Sequence, residues 1–352
     1  MSLDSKADRH LRFKHLSRYW LLRLFFVAFS AGLSLFVLEY GARYLTEKEM
    51  LQYYKPLQSQ IDPKTEDWRW THTFNDENFE PDPVLFWTPR LNHFPFDKDG
   101  TALSEQFVCY QTDNDQPKIL IYGDSNTQGL ATNSWANELQ LLLLKSKNST
   151  HVLNRGVVGY SSFQGVERLK QDLKKYKPKV IVFAFGWNDV APSVNAADPF
   201  FKPYPVVGGS ILARSRAYAV GVYYSSLISQ RTQRAQKASL PQSRMTIDMY
   251  LKKLKEMYVI AKQHGAEPII ISRPYNDADG TFAGSGNWRE QVPYYNSQLR
   301  ALMQNDAAHF VDFESYFKDK TAMFIDESHF DPRGHRLAGM LLFEHLLQYE
   351  QL

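Results

Sequence analysis

The sequence predicts an α/β protein built on a doubly wound parallel sheet and preceded by one apolar helix. From Lys118 onward, short apolar runs alternate with amphipathic stretches, the texture of strands and helices in alternation. Upstream, Leu24 to Leu38 reads LFFVAFSAGLSLFVL without a charge. The chain has 352 residues, 43% of them hydrophobic and 22% charged. That is enough for one sizeable core with an appendage.

Basic residues crowd the first segment: Lys6, Arg9, Arg12, Lys14, Arg18 and Arg23 all precede residue 24. The net charge of +3 therefore gives no case for nucleic-acid binding, because the remainder is nearly balanced. A helix over 19–38 spans roughly 30 Å at about 1.5 Å per residue, enough to cross a bilayer, with Arg23 placed to snorkel. Its apolar character runs all round rather than as a stripe, which argues against a buried globular helix. The residues that follow, Glu39, Tyr40, Gly41, Ala42 and Arg43, offer no small-x-small cleavage site, so an uncleaved signal-anchor is expected over a cleavable signal peptide. The positive-inside rule then keeps 1–18 in the cytoplasm and puts everything after 38 on the outer or periplasmic side of a single-pass membrane protein.

Residues 39–116 are expected to form a linker or stalk that packs on the domain, since aromatics, prolines and charges mix there without sustained periodicity. The domain itself is expected over 117–352. Strands are predicted at 119–122, 152–154, 180–185, 268–271 and 310–312, and helices at 135–147, 164–176, 246–264, 288–305 and 334–349. Between the third strand and the helix at 246 lies an insertion at about 191–245, far longer than an ordinary connection. Its second half could form an amphipathic helix, and it is a candidate lid, partner surface or packing element. The single cysteine, Cys109, excludes an internal disulfide; with Phe107, Val108 and Tyr110 beside it, it reads as a buried, inert thiol.

The chemistry-bearing residues sit after predicted strands. In ILIYGDSNTQG, Ser125 follows a short apolar strand at a glycine-flanked turn, where a hydroxyl projects from the carboxyl edge of a parallel sheet. Thr127 stands where a G-x-S-x-G elbow would need its second glycine. A serine nucleophile needs a base held in one tautomer by a carboxylate. FIDESHFDPRGH supplies Asp326 and His329 within one short loop. Asp331 and His335 lie close by, but the cluster lacks the other spaced ligands of a standard metal site. Acyl transfer also builds an oxyanion, and a donor aimed at it contributes roughly 3 to 4 kcal/mol. Gly159 in NRGVVGYSS and Asn188 in GWND are candidates, one through its backbone N–H and one through its side-chain amide.

Taken in order, GDSNTQG, NRGVVGYSS, GWND and DESH resemble the four blocks of the SGNH/GDSL hydrolase superfamily, over a stretch running from about Lys118 to the end of the chain. The resemblance implies a flavodoxin-like three-layer α/β/α sandwich with a parallel five-stranded sheet and no metal or organic cofactor. It implies Ser125 as nucleophile, His329 as base and Asp326 as its orienting partner. It also implies an oxyanion hole of the Ser125 and Gly159 N–H groups and the Asn188 side chain. The serine block reads GDSN rather than GDSL, which leaves the nucleophile in place. Asp124 is expected to hold the turn, Asp189 to brace a loop and His335 to sit in the first turn of the last helix. Tyr160, Phe163 and Trp187 could line a pocket or pack in the core. The function so implied is a serine esterase cleaving an acyl or acetyl ester. The alternatives are an O-acyltransferase acting on a cell-surface glycan and a non-catalytic binding component on a hydrolase fold.

Overall fold

The computed structural model describes residues 4–48, 78–82, 84–104, 117–129, 133–193, 197–200, 217, 242–278 and 288–352. Cys109 and most of the insertion, including its expected helix, lie outside the described residues. The chain forms two compact units, 1–60 with 204–237 and 61–203 with 238–352. The first is represented by helix α1 (Asp4–Lys48). Within it Trp20–Ala42, 23 residues of mean hydropathy 2.2, is long and apolar enough to cross a membrane, a property that a signal sequence near an N-terminus shares.

The second unit opens with a hairpin that the sequence pattern concealed: β1 (Phe79–Asp82) and β2 (Phe86–Pro89), antiparallel with Glu80 opposite Thr88. Strands this short, carrying Pro81 and Pro89, leave no room for a readable alternation. Phe79, Leu85, Phe86, Trp87 and Phe96 are buried with Tyr160, Val166 and Leu169 in one hydrophobic cluster. The turn that follows is held from the domain side, where Arg155 Nη1 donates to the Asp99 carbonyl at 2.7 Å and Arg168 Nη2 to that of Gly100 at 2.6 Å.

The sandwich proper runs β3 (Lys118–Gly123), α2 (Ser125–Gln128), α3 (Trp135–Lys145), β4 (His151–Asn154), α4 (Ser162–Asp172), β5 (Val180–Ala184) and α5 (Trp187–Val190). It continues with β6 (Pro192–Ser193), β7 (Gln242–Ser243), α6 (Ile247–Gln263), β8 (Glu267–Ile271), α7 (Gln291–Met303), β9 (Phe310–Val311), α8 (Phe313–Phe317) and α9 (Pro332–Gln348). Caps mark the helix starts: Thr246 accepts from the Met249 N–H, and Asp331 from Arg333 and Gly334 with Pro332 beginning the helix. The last strand stops one residue short of the expected Asp312, because Asp312 instead caps α8 by accepting from the Ser315 N–H.

The five-stranded sheet has the order β4-β3-β5-β8-β9, and each neighbouring pair is parallel. This is the flavodoxin-like order, with its switch point between β3 and β5. Because side chains alternate, Leu120, Tyr122, Ile181, Phe183 and Ile270 face one core with the hairpin, α4, α6 and α7. Ile119, Ile121, Val180, Val182, Ile269 and Ile271 face the other, with α3 and α9. Strands covered on both faces read as continuous apolar runs. The insertion is closed at its base by the β6–β7 pair, Pro192 opposite Ser243.

Candidate active site

Ser125 is the residue after the N-cap of α2, directly beyond the carboxyl end of β3. Asp124 is that cap; its Oδ1 accepts from the Asn126 N–H at 3.0 Å. The approach is tight: a Cβ on Gly123 would lie 2.1 Å from Thr127 Oγ1 and 2.8 Å from the Ala184 carbonyl oxygen. A glycine is required there. The Ser125 side chain is nearly buried, and its Oγ lies 2.8 Å from His329 Nε2.

His329 lies in the loop between α8 and α9, 204 positions away in sequence. Its Nδ1 is 2.7 Å from Asp326 Oδ2, while Asp326 Oδ1 accepts from the backbone N–H groups of Ser328 at 2.8 Å and His329 at 2.7 Å. Burial pushes the Asp326 carboxyl up, but the hydrogen bonds from the Ser328 N–H and from the ring and N–H of His329 outweigh it and hold the group below its ordinary value. Asp326 is thus kept as an acceptor, which stabilises Nδ1–H on the imidazole and leaves Nε2 facing the serine.

Two further links align the serine and histidine loops, and neither was visible in the sequence. Asn126 Oδ1 accepts from the Phe330 N–H at 3.0 Å. Arg273, buried just past β8, donates through Nη2 to the Ser328 carbonyl at 3.2 Å. Its Nε also lies 3.1 Å from Asp124 Oδ2, within ion-pairing range although the N–H is not aimed along a hydrogen bond. His335 stands in the first turn of α9, edge-on to the Phe330 ring at 5.5 Å. Burial, then the nearby His329 and Arg273, lower its pKa to about 4, so it stays neutral beside the site. Asp331 is engaged as the cap of α9.

Past the end of β4, Gly159 turns the chain at φ +76°, a conformation that favours glycine. Its carbonyl accepts from Arg244 Nη1 at 2.7 Å. Asn188 lies on α5 past the end of β5, and one of its two amide hydrogens goes to the Tyr160 carbonyl at 3.1 Å, which leaves a second donor on the same nitrogen. Asp189 accepts from the N–H of Ser162 at 3.0 Å and from its hydroxyl at 2.5 Å. Burial raises its carboxyl to about 7 despite those bonds. Tyr160 is a core residue whose hydroxyl donates to the Trp87 carbonyl at 2.7 Å. Trp187 is only partly buried and meets Trp288 edge-on at 5.4 Å.

The structure therefore brings Ser125, His329 and Asp326 into one hydrogen-bonded line at the carboxyl edge of the sheet. It sets Gly159 on the loop that follows β4 and Asn188 on α5, past the end of β5.

A model of the GDSL-like lipase/acylhydrolase family matches residues 121–337. Among solved structures, a GDSL-like lipase from Bacteroides thetaiotaomicron is 14% identical with a TM-score of 0.43, covering 69% of this chain and 94% of that one. A lipase/acylhydrolase from Enterococcus faecalis is 17% identical at a TM-score of 0.42, with coverages of 66% and 95%. The esterase EstA of a Pseudoalteromonas species is 13% identical at 0.41, with coverages of 68% and 100%. No curated protein matches the chain. The family match runs from Ile121, within β3, through Ser125, Gly159 and Asn188 to the Asp326–His329 loop and into α9, and the chain belongs to the GDSL-like lipase/acylhydrolase family of SGNH serine hydrolases.

Proposed function

We propose that the protein hydrolyses an acyl or acetyl ester through an acyl-serine on Ser125, with His329 as general base and Asp326 as its orienting carboxylate. The observation that carries this reading is the line of hydrogen bonds Ser125 Oγ to His329 Nε2 at 2.8 Å and His329 Nδ1 to Asp326 Oδ2 at 2.7 Å. Ser125 Oγ attacks the ester carbonyl while its proton passes to Nε2, giving a tetrahedral oxyanion and an imidazolium facing Asp326. The N–H groups of Ser125 and Gly159 and the second amide hydrogen of Asn188 receive that oxyanion. Collapse expels the alcohol, which takes the proton from Nε2, and leaves the acyl-serine. Water then repeats the sequence with His329 as base, releasing the acid and restoring the serine.

The same acyl-serine passed to a sugar hydroxyl would make an O-acyltransferase. Retained as an anchor, the apolar helix Trp20–Ala42 would put the reaction at a membrane face, and an acylated cell-surface glycan is the substrate class put to the test. In this reading 1–18 is cytoplasmic, 19–38 spans the membrane, 39–116 connects, and 117–352 with its insertion at about 191–245 works on the outer side. The test compares full-length wild type with Ser125→Ala on a short acyl ester and on acetylated glycans, with circular dichroism confirming that both fold. Acetate release by wild type alone is expected; acyl transfer to added glycan without release would favour the transferase, and equal turnover by the variant would overturn the mechanism.

A further inference from the structure

Three consecutive peptide groups around Gly159 are each held by a side chain from a different part of the chain. The 157–158 peptide is fixed through its N–H, as Val158 donates to Gln128 Oε1 at 2.8 Å. The 159–160 peptide is fixed through its carbonyl, which accepts from Arg244 Nη1 at 2.7 Å. Arg244 is itself locked in a fully buried pair with Asp198, Nη2 to Oδ2 at 2.7 Å, and also donates to Gln164 Oε1 at 2.8 Å. Between them lies the 158–159 peptide, the one that carries the Gly159 N–H. Its carbonyl, on Val158, accepts from the indole Nε1–H of Trp87 at 3.1 Å.

A trans peptide is planar and its N–H points opposite to its C=O. Whatever fixes the Val158 carbonyl therefore fixes the direction of the Gly159 N–H. A turn with a glycine at positive φ can rotate that peptide at little steric cost, so the orientation needs an external constraint. Trp87 is itself constrained beyond what a packed core residue needs. It is 0% exposed, its carbonyl accepts from the Tyr160 hydroxyl at 2.7 Å, and the preceding Leu85 carbonyl accepts from Gln164 Nε2 at 2.9 Å. Phe86, between these two anchors, sits at φ +71°, a region that a bulky side chain occupies only when its surroundings impose it. The hairpin is thus tied around Trp87 to the Gly159 loop, through Tyr160, and to the helix that follows it, through Gln164, and it lies upstream of the family match, which begins at residue 121.

We infer that Trp87 is a positioning residue of the oxyanion hole: its indole N–H holds the Val158 carbonyl and so aims the Gly159 N–H at the developing oxyanion, making the N-terminal hairpin part of the catalytic apparatus. This rests on the reading of Ser125 as nucleophile and Gly159 as oxyanion donor.

The test uses full-length protein in detergent and Trp87→Phe, which keeps an aromatic ring and removes the N–H. Two rates are read: turnover of 4-nitrophenyl acetate, and the second-order rate of Ser125 labelling by a fluorophosphonate probe, which needs the nucleophile and the oxyanion hole but no acyl acceptor. Both are expected to fall on the order of 10-fold or more, kcat and kcat/KM together, as for an interaction made mainly in the transition state. KM should change little; the thermal midpoint should fall, because a fully buried ring shrinks and the Val158 carbonyl loses its donor, with the variant still folded at the assay temperature. If Trp87→Phe does not fold, 3-benzothienylalanine at position 87 replaces the N–H by sulfur at nearly constant shape and is expected to give the same loss. Wild-type rates in a folded variant would overturn the inference while leaving the catalytic reading intact. Labelling that survives Ser125→Ala, or is absent from folded wild type, would overturn the catalytic reading and this inference with it.

Discussion

At Asn188 a single nitrogen is divided between two tasks. One hydrogen anchors it to the Tyr160 carbonyl, and the other is the one proposed to meet the oxyanion. Asn188→Ala removes both and is expected to lower kcat by about 10²–10³-fold, with a smaller effect on KM, as measured by steady-state hydrolysis of a short ester. Asp326→Asn should lower kcat by on the order of 10²–10⁴-fold, because the amide can present a donor to Nδ1 and so favour the wrong tautomer. Asp189 makes a prediction about pH. Burial raises its pKa from 3.8 to about 7, so between those values the folded state binds the proton that the unfolded state releases. Its contribution to stability is then full below about pH 4 and is lost as pH rises through about 7. Urea titrations at pH 5 and pH 8 should show wild type losing more stability than Asp189→Asn, by on the order of 1–4 kcal/mol. Equal losses would mean that Asp189 is ionised throughout.

At the scale of elements, the site depends on loops from opposite ends of the sequence being tied together. Arg273 joins the end of β8 to the cap of α2 through Asp124 and to the histidine loop through Ser328. Removing one member of a buried ion pair strands the other, at a cost of about 3–5 kcal/mol. Arg273→Met is expected to lose about that much in chemical denaturation, and the double variant with Asp124→Asn to lose less than the sum of the singles. Additive losses would show that the pair is not coupled. The strand and helix pattern from Lys118 onward was readable because buried parallel strands are nearly continuous apolar runs and the helices keep one apolar stripe. The β1–β2 hairpin was not, because its burial comes from partners far along the chain, such as Val158, 71 positions from Trp87.

For the whole molecule, the apolar stretch Trp20–Ala42 and the preceding cluster of Lys and Arg predict that the full chain stays in the membrane fraction through alkaline carbonate extraction. Protease added from the outer side should digest the hydrolase unit while sparing the N-terminus. Release of the domain as a soluble, N-terminally shortened product would instead identify the helix as a cleaved signal. Sequence by itself determined the fold class, the family and the residues nominated for chemistry, because each of these is written locally: strand and helix periodicity, short motifs at turns, and an uninterrupted apolar run. Only the tertiary structure decided that Asp326 and His329 reach Ser125, that Arg273 and Asn126 hold the two loops in line, and that Trp87, Gln128 and Arg244 pin the Gly159 turn. Those contacts close over distances of tens to hundreds of residues, and no local pattern encodes which remote side chain will satisfy a given buried carbonyl.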